Sequence, residues 1–140
     1  MQMRIDSNPF IISDSTLAQA YESAGYGVAS DYLSRPGFVT RSFPPGVFGL
    51  FAYGDEGALV GFLRAFSDNN HCTWIAETCV CSGQNANAVR GALLYSLIER
   101  FGHTAIYTEA FEDEIEAYQA VGIIARARLT ALSRAPKMEA

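Results

Sequence analysis

The middle of the chain, residues 47–80, alternates between apolar runs and short polar turns, and this pattern constrains the fold more than any other feature. The apolar runs are 47–53, 58–66 and 72–80, and the segments between them read GDEG at 54–57 and SDNN at 67–70. Strand-length apolar runs that are separated by Gly, Asp and Asn are typical of β-hairpins. The pattern therefore predicts three consecutive antiparallel strands.

The periodicity changes from that of a strand to that of a helix after the polar loop at 82–85. Gly102 follows this helical segment and is a common helix terminator. The apolar residues of the segment recur at helical spacing and would form one buried face; they are Val89, Leu93, Leu94, Leu97, Ile98 and Phe101. The sequence thus predicts one long amphipathic helix directly after the three strands.

Weaker patterns predict the remaining elements. Before the three strands we expect a β-like run at 10–12, a helix capped by Ser13, a short helix near 31–34 and an irregular loop over 38–46. After the long helix we expect a strand at 105–109, a helix at 112–121 and a final strand at 123–133. This order predicts an α+β domain in which the 105–109 strand lies parallel to the third strand of the meander.

Length and charge limit the class of protein. The 140 residues fit a single domain spanning 1–140, and the net charge of −5 argues against a nucleic-acid surface. We expect no membrane contact, because no stretch approaches about 20 apolar residues, and a cytoplasmic location, because the N-terminus lacks a secretory pattern. The odd number of cysteines makes a poor disulfide framework, and the spacing of Cys79 and Cys81 matches no zinc motif, so no metal is expected.

Four short motifs, in this order of elements, resemble the GNAT acetyltransferase family. They are residues 58–68 (ALVGFLRAFSD), 74–80 (WIAETCV), 92–94 (ALL) and 117–123 (AYQAVGI). The resemblance extends from about residue 17 to the end of the chain. It implies the acyl-CoA N-acyltransferase fold, acetyl-CoA as the co-substrate, and direct acetyl transfer to an amine in a ternary complex.

The segment that the resemblance assigns to phosphate binding departs from the family pattern. Both glycines of the family's loop are replaced here, one by Ala88 and the other by Arg90. An alanine keeps the backbone N–H that binds phosphate at a helix N-terminus. For Arg90 two interpretations stay open, because its side chain could reach the pyrophosphate or lie on the solvated face of the helix.

The resemblance also identifies the residues that would hold coenzyme A. The pantetheine arm would lie beside the main chain of Cys79, Val80 and Cys81, with the Val80 N–H stabilising the thioester oxyanion. The phosphates would meet the start of the long helix, at Asn85, Ala86, Asn87, Ala88, Val89 and Arg90.

Two side chains are candidates for proton transfer. Glu77 occupies the position of the family's general base, although it could instead form a cross-strand ion pair with Arg64. Tyr118 matches the tyrosine that protonates the departing thiolate, and the other interpretation is a core tyrosine that packs its helix on the sheet. The sequence alone leaves both alternatives open.

The N-terminal third is rich in aromatic residues that would surround the acceptor or form a dimer interface; they are Tyr21, Tyr26, Tyr32, Phe38, Phe43 and Phe48. The sequence therefore predicts an acetyl-CoA-dependent N-acetyltransferase that acts on a small amine or amino-acid-like acceptor and forms a homodimer. The alternative is a catalytically inactive, GNAT-like binding or regulatory module whose coenzyme A site has been lost.

Overall fold

The computed structural model describes residues 2–137, which form one five-stranded sheet with helices on both faces. The strands lie in chain order: β1 (Arg4–Asp6), β2 (Val47–Tyr53), β3 (Leu59–Ser67), β4 (Cys72–Val80) and β5 (Ala105–Thr108). The helices are α1 (Asp14–Ser23), α2 (Ala29–Tyr32), α3 (Phe38–Ser42), α4 (Ala86–Phe101) and α5 (Ile115–Ala120), with 3-10 turns at Pro9–Ile11 and Glu112–Glu114. The predicted α+β architecture is confirmed.

The meander β2–β3–β4 forms the centre of the sheet and has the predicted bounds to within one residue. β1 adds to β2 in antiparallel orientation, and β5 pairs with β4 in parallel, as the strand–helix–strand order predicted. Between β3 and β4 the register shifts at Arg64 and Ala65, so Arg64 lies opposite Glu77 while Ala65 lies opposite Ile75. This irregularity fixes which side chains of β4 face which partner on β3.

Helix α4 covers one face of the sheet through the apolar residues that the periodicity identified. Val89, Leu93, Leu94 and Leu97 are fully buried there. Gly61 on β3 makes the close approach possible, because a Cβ at this position would lie 2.7 Å from Val89 Cγ1 and 2.8 Å from the Cys79 carbonyl oxygen. The start of α4 is therefore held tightly against the end of β4.

Helices α1 and α3 cover the other face. Ser13 caps α1 as predicted, with its Oγ accepting from the Thr16 N–H at 3.1 Å. The carboxylate of Asp14 links α1 to the start of α3, because it accepts from the backbone N–H groups of Gly37 and Val39 at 3.1 and 2.9 Å. Two local predictions were wrong: residues 10–12 contain a 3-10 turn rather than a strand, and the 38–46 loop begins with helix α3.

The predicted final strand at 123–133 is not formed, and the prediction was wrong. Gly122, at φ 86°, ends α5 in the left-handed region, and the chain then runs without regular structure beside the short β5. Leu129 and Leu132 are 64% and 88% exposed. The neighbouring edge strand β5 has four residues, so pairing with it would form few hydrogen bonds and bury little apolar area. No helix within 2–137 has both the length and the apolar character needed to cross a membrane.

Candidate active site

The candidate site lies where the outer edge of β4 loses its partner strand. β5 pairs with β4 only from Cys72 to Ile75, so no strand of the described chain covers that edge from residue 76 onward. The N–H of Cys81 donates to the Val60 carbonyl of β3 at 2.9 Å. Because successive amides of a strand point to opposite edges, the N–H groups of Val80 and Thr78 face the uncovered edge.

The gap beside this edge encloses a cavity of about 120 Å³. Gly25 and Tyr26, after α1, lie on one side of it, and Phe111 and Glu114 lie on the other. Thr78, Val80 and Arg90 also line it. The cavity is therefore bounded by the same strand edge to which the resemblance assigned the pantetheine arm and the thioester.

Arg90 does not lie on the solvated face of α4. Its side chain is 9% exposed and forms an ion pair with Glu114, at 3.1 Å between Arg90 Nη2 and Glu114 Oε2. Its Nε donates to Thr78 Oγ1 at 2.9 Å. The guanidinium thus points inward, beneath β4 and against the turn that precedes α5, so the solvated-face interpretation is wrong and the side chain does not extend towards the start of α4.

The first turn of α4 has both bonded and exposed backbone N–H groups. Asn85 caps the helix, with its Oδ1 accepting from the Ala88 N–H at 3.1 Å, and the Val89 N–H donates to the Asn85 carbonyl at 3.0 Å. Ala86 and Asn87 are exposed, and they supply the first two N–H groups of the helix. The side chain of Val89 is fully buried in the core. The segment 85–90 therefore presents fewer free backbone donors than the resemblance implied.

The loop between β4 and α4 is attached to the end of α1. The Ser82 N–H donates to Ser23 Oγ at 2.9 Å, which connects the two elements that flank the gap. Gly83 adopts φ 83°, in the left-handed region that a glycine reaches without strain. These contacts fix the approach of the chain to the first turn of α4.

Glu77 lies on the opposite face of β4 from Thr78 and forms the ion pair with Arg64 that was one of the two sequence interpretations. Arg64 Nε and Nη2 donate to its two carboxylate oxygens at 2.6 and 3.3 Å. The hydroxyl of Tyr21 also donates to Glu77 Oε1. Burial first, and the Glu77 charge second, raise the pKa of Tyr21 well above its ordinary value, so this phenol stays protonated.

Tyr118 is buried in the core between α5 and the sheet, and it connects to the cavity through Thr78. The distance between the Tyr118 and Thr78 hydroxyl oxygens is 3.1 Å, and Thr78 lines the cavity. Burial raises the pKa of Tyr118 above its ordinary value, and the hydrogen bond with Thr78 partly offsets this. Core packing, the second interpretation from the sequence, is thus present together with a hydrogen-bonded path to the site.

The backbone N–H groups of Cys79 and Cys81 point to the opposite edge of β4 from that of Val80. In this antiparallel pair the N–H of Cys79, like that of Cys81, faces β3, whereas the Val80 N–H faces the gap. Burial raises the pKa of both thiols, so neither resembles an activated nucleophile. Among residues 2–137 no group of three His, Cys, Asp or Glu side chains could hold a metal ion.

The aromatic residues of the N-terminal third do not form one exposed surface. Tyr21, Tyr32 and Phe38 pack on one another with ring centroids 5.0 to 5.8 Å apart, and Tyr21 and Phe38 are buried. Phe43 packs on Phe51 in the same core. Phe48 instead packs edge to face against Phe101 on the α4 side. These side chains mainly build the core beside the site.

The sequence did not identify Thr78 and Glu114 as site residues, and for Tyr21, predicted only as an aromatic on the acceptor side, it did not identify the contact with Glu77. Thr78 and Glu114 bind Arg90, and Tyr21 binds Glu77. The alternation of β4 could have indicated Thr78, since it must face the side of the sheet opposite to Glu77. Glu114 and Tyr21 gave no such signal, because their contacts join elements that are distant in the sequence.

Comparison with known proteins gives evidence on the fold through solved structures. No protein-family model matches the sequence, and no curated protein matches it. A GNAT-family acetyltransferase from Streptococcus pneumoniae superposes with a TM-score of 0.71 and 15% identity, over 98% of this chain and 100% of the other. A ribosomal-protein-alanine N-acetyltransferase from Brucella melitensis gives 0.68 and 15%, with coverage of 96% and 99%.

An aminoglycoside 6'-N-acetyltransferase from Acinetobacter baumannii gives a TM-score of 0.61 and 14% identity, with 97% of this chain and 100% of the other covered. The superpositions establish a common architecture, but at sequence identities this low they do not transfer an activity or a substrate from one protein to another. The chain has the acyl-CoA N-acyltransferase fold of the GNAT acetyltransferases.

Proposed function

We propose that this chain is an acetyl-CoA-dependent N-acetyltransferase that transfers the acetyl group directly to a small amine or amino-acid-like acceptor. The observation that carries the proposal is the uncovered edge of β4. Its Val80 N–H faces a cavity next to the start of α4, in a fold that known acetyltransferases share. A backbone N–H that points into a small cavity can stabilise the oxyanion formed from a thioester.

In this proposal the acetyl group enters the cavity, and the pantetheine arm follows the β4 edge towards α4. The phosphates meet the N–H groups of Ala86 and Asn87, which are the exposed donors of the first helical turn. The gap must widen for the arm, because the present cavity of about 120 Å³ has the size of a small acyl group rather than of a pantetheine.

Glu77 is the proposed proton acceptor for the amine, with a water molecule between them. It lies on the face of β4 that is turned towards α1, and in this proposal the acceptor approaches from that face. Arg64 and Tyr21 hold the carboxylate in one orientation. Tyr118 supplies the proton for the thiolate through the Thr78 hydroxyl, because Thr78 lies between it and the cavity.

The first experiment measures thermal unfolding with acetyl-CoA, coenzyme A or ATP at millimolar concentration. A ligand present at 100 times its Kd stabilises the folded state by about 2.7 kcal/mol, so we expect both coenzyme forms to raise Tm by several degrees and ATP to have little effect. Release of free thiol from acetyl-CoA in the presence of amines then tests catalysis. Tyr118→Phe should lower turnover while leaving the Tm shift intact.

One observation favours the second candidate function, a binding or regulatory module without catalysis. The Arg90–Glu114 ion pair already occupies the inner side of the gap. If neither coenzyme form changes Tm, the module is the better description of the chain. A Tm shift without thiol release from any amine would support a module that still binds coenzyme A.

A further inference from the structure

The side chain of Arg90 has hydrogen-bond donors that its contacts within the protein do not use. A guanidinium carries five N–H donors. Nε of Arg90 donates to Thr78 and Nη2 pairs with Glu114, whereas Nη1 has no partner among residues 2–137. Among residues 2–137, the fully enclosed side-chain nitrogen or oxygen atom without a hydrogen-bond partner is the Tyr53 hydroxyl oxygen. Because Nη1 of Arg90 also has no partner but does not belong to this class, it is not fully enclosed by protein. Arg90 lines the cavity, and we infer that Nη1 is the guanidinium nitrogen available to a molecule bound there.

Arg90 and Val80 line the same small cavity from two directions. The Val80 N–H approaches from the strand edge and the guanidinium approaches from α4. The cavity volume of about 120 Å³ leaves room for a group of a few heavy atoms, such as an acetyl group. One neutral and one charged donor therefore face a space that fits the reacting end of an acyl thioester.

We propose that Arg90 is a catalytic residue that donates Nη1–H to the thioester oxygen in the tetrahedral intermediate. This inference rests on the proposed acetyltransferase function. The amine nitrogen forms a bond to the carbonyl carbon, and the C=O π pair moves to oxygen, where Arg90 and Val80 bind the negative charge. The intermediate then breaks its C–S bond, and the departing thiolate receives a proton from Tyr118 through Thr78. The proton of the amine goes to Glu77.

Glu114 has a positioning role in this arrangement. Its Oε2 holds Nη2, and its Oε1 accepts from the Phe111 N–H at 2.9 Å, so the carboxylate is fixed at both oxygens. Thr78 Oγ1 accepts from Nε beside this carboxylate and lies 3.4 Å from Glu114 Oε2. The guanidinium plane is thereby immobilised before substrate binds, and preorganised donors of this kind stabilise developing charge most effectively. A glycine at position 90 has no side chain with which to do this.

The test compares the affinity of the protein for coenzyme A and for carboxymethyl-CoA by titration calorimetry. The carboxylate of carboxymethyl-CoA lies just beyond the sulfur, near the place where the oxyanion of the intermediate would form. We expect the protein to bind carboxymethyl-CoA at least about tenfold more tightly than coenzyme A, as a charge-assisted hydrogen bond implies. Arg90→Gln should abolish this preference and leave the coenzyme A affinity within about twofold of the original.

Three further variants make the result specific. Arg90→Lys should restore part of the preference, because the charge remains while the fork geometry is lost. Arg90→Gln combined with Glu114→Gln removes both charges, and it replaces the single variant if that one does not fold. Arg100→Gln, on the same helix and over the Phe48 ring, is the matched control and should bind both ligands as the original protein does.

The outcomes separate the inference from the proposed function. If both ligands bind and Arg90→Gln keeps the preference for carboxymethyl-CoA, Arg90 is not an oxyanion donor. Weaker binding of coenzyme A itself would place Arg90 on the pyrophosphate, and tighter binding would make it an obstruction in the gap; either result overturns the inference alone. If the original protein binds neither ligand, the acetyltransferase proposal fails together with it.

Discussion

The Arg90–Glu114 ion pair allows a quantitative test of the site, because each partner is almost fully buried. Glu114→Gln keeps the shape of the side chain and the oxygen that accepts from Phe111, but it removes the charge that faces the guanidinium. Breaking a buried pair by neutralising one partner costs about 3–5 kcal/mol, since the other charge stays desolvated. Because Nη1 of Arg90 borders the cavity, we expect the lower end of this range, about 3 kcal/mol.

The measurements are urea unfolding and thermal unfolding at pH 7, both monitored by Trp74 fluorescence and by circular dichroism. For a chain of this length, a loss of about 3 kcal/mol corresponds to a decrease in Tm of about 10 °C. Arg90→Met combined with Glu114→Gln removes both charges and keeps most of the side-chain volume. This double variant should regain stability to within about 1 kcal/mol of the original protein, because buried ion pairs contribute little net stability compared with apolar packing.

Two results would refute this reasoning. A cost below about 1 kcal/mol for Glu114→Gln would mean that the guanidinium is solvated, or that it finds another acceptor once Glu114 is neutral. A double variant as unstable as the single one would mean that packing and the Thr78 contact, rather than the unpaired charge, determine the loss. In either case the picture of an immobilised guanidinium in the site would have to be abandoned.

Two further predictions concern the elements that position the site. Gly61→Ala should lower the free energy of unfolding by about 1–3 kcal/mol, because the new Cβ would lie 2.7 Å from Val89 Cγ1 and 2.8 Å from the rigid Cys79 carbonyl oxygen. Adding Val89→Ala should recover only part of this loss. Complete recovery, measured by urea unfolding, would contradict the stated geometry. Hydrogen bonds from backbone N–H groups, mainly that of Val39, lower the pKa of Asp14 in the folded protein. The Asp14 carboxylate therefore contributes its full stabilisation above the ordinary pKa of an aspartate, and this stabilisation is lost as the pH falls through the lowered pKa. Asp14→Asn should therefore reduce the loss of stability between pH 5 and pH 2, and an unchanged pH dependence would contradict this role.

The central part of the fold could be predicted because each segment carried its own complete signal. The β2–β3–β4 meander combines apolar runs with turn residues, and α4 combines an apolar stripe with a terminating glycine. Such signals are local, so the secondary structure of each segment can be predicted without knowing which elements pack against it. The 123–133 strand failed for the opposite reason. Its residues tolerate a strand, but strand formation depends on what β5 offers as a partner, and β5 is only four residues long.

The candidate site was predicted less completely because its contacts join distant elements. Glu77 was correctly placed on β4, yet the choice between a free carboxylate and a pair with Arg64 depended on the register shift at residues 64 and 65. Tyr118 was predicted as either a core residue or a proton donor, and its contact with Thr78 makes the two compatible. A single sequence contains no local signal for either arrangement.

Arg90 shows most clearly why one position cannot be interpreted alone. Placed where the resemblance expects a glycine, an arginine suggests either a new phosphate ligand or a side chain on the solvated face of the helix. The structure pairs this arginine with Glu114, on a turn between β5 and α5 that no sequence pattern connects with position 90. A buried charge persists only with a partner, so the two residues form a single unit. For this reason a variant that returns position 90 to glycine should be made together with Glu114→Gln, because restoring the glycine alone would leave an unpaired carboxylate next to the proposed thioester site.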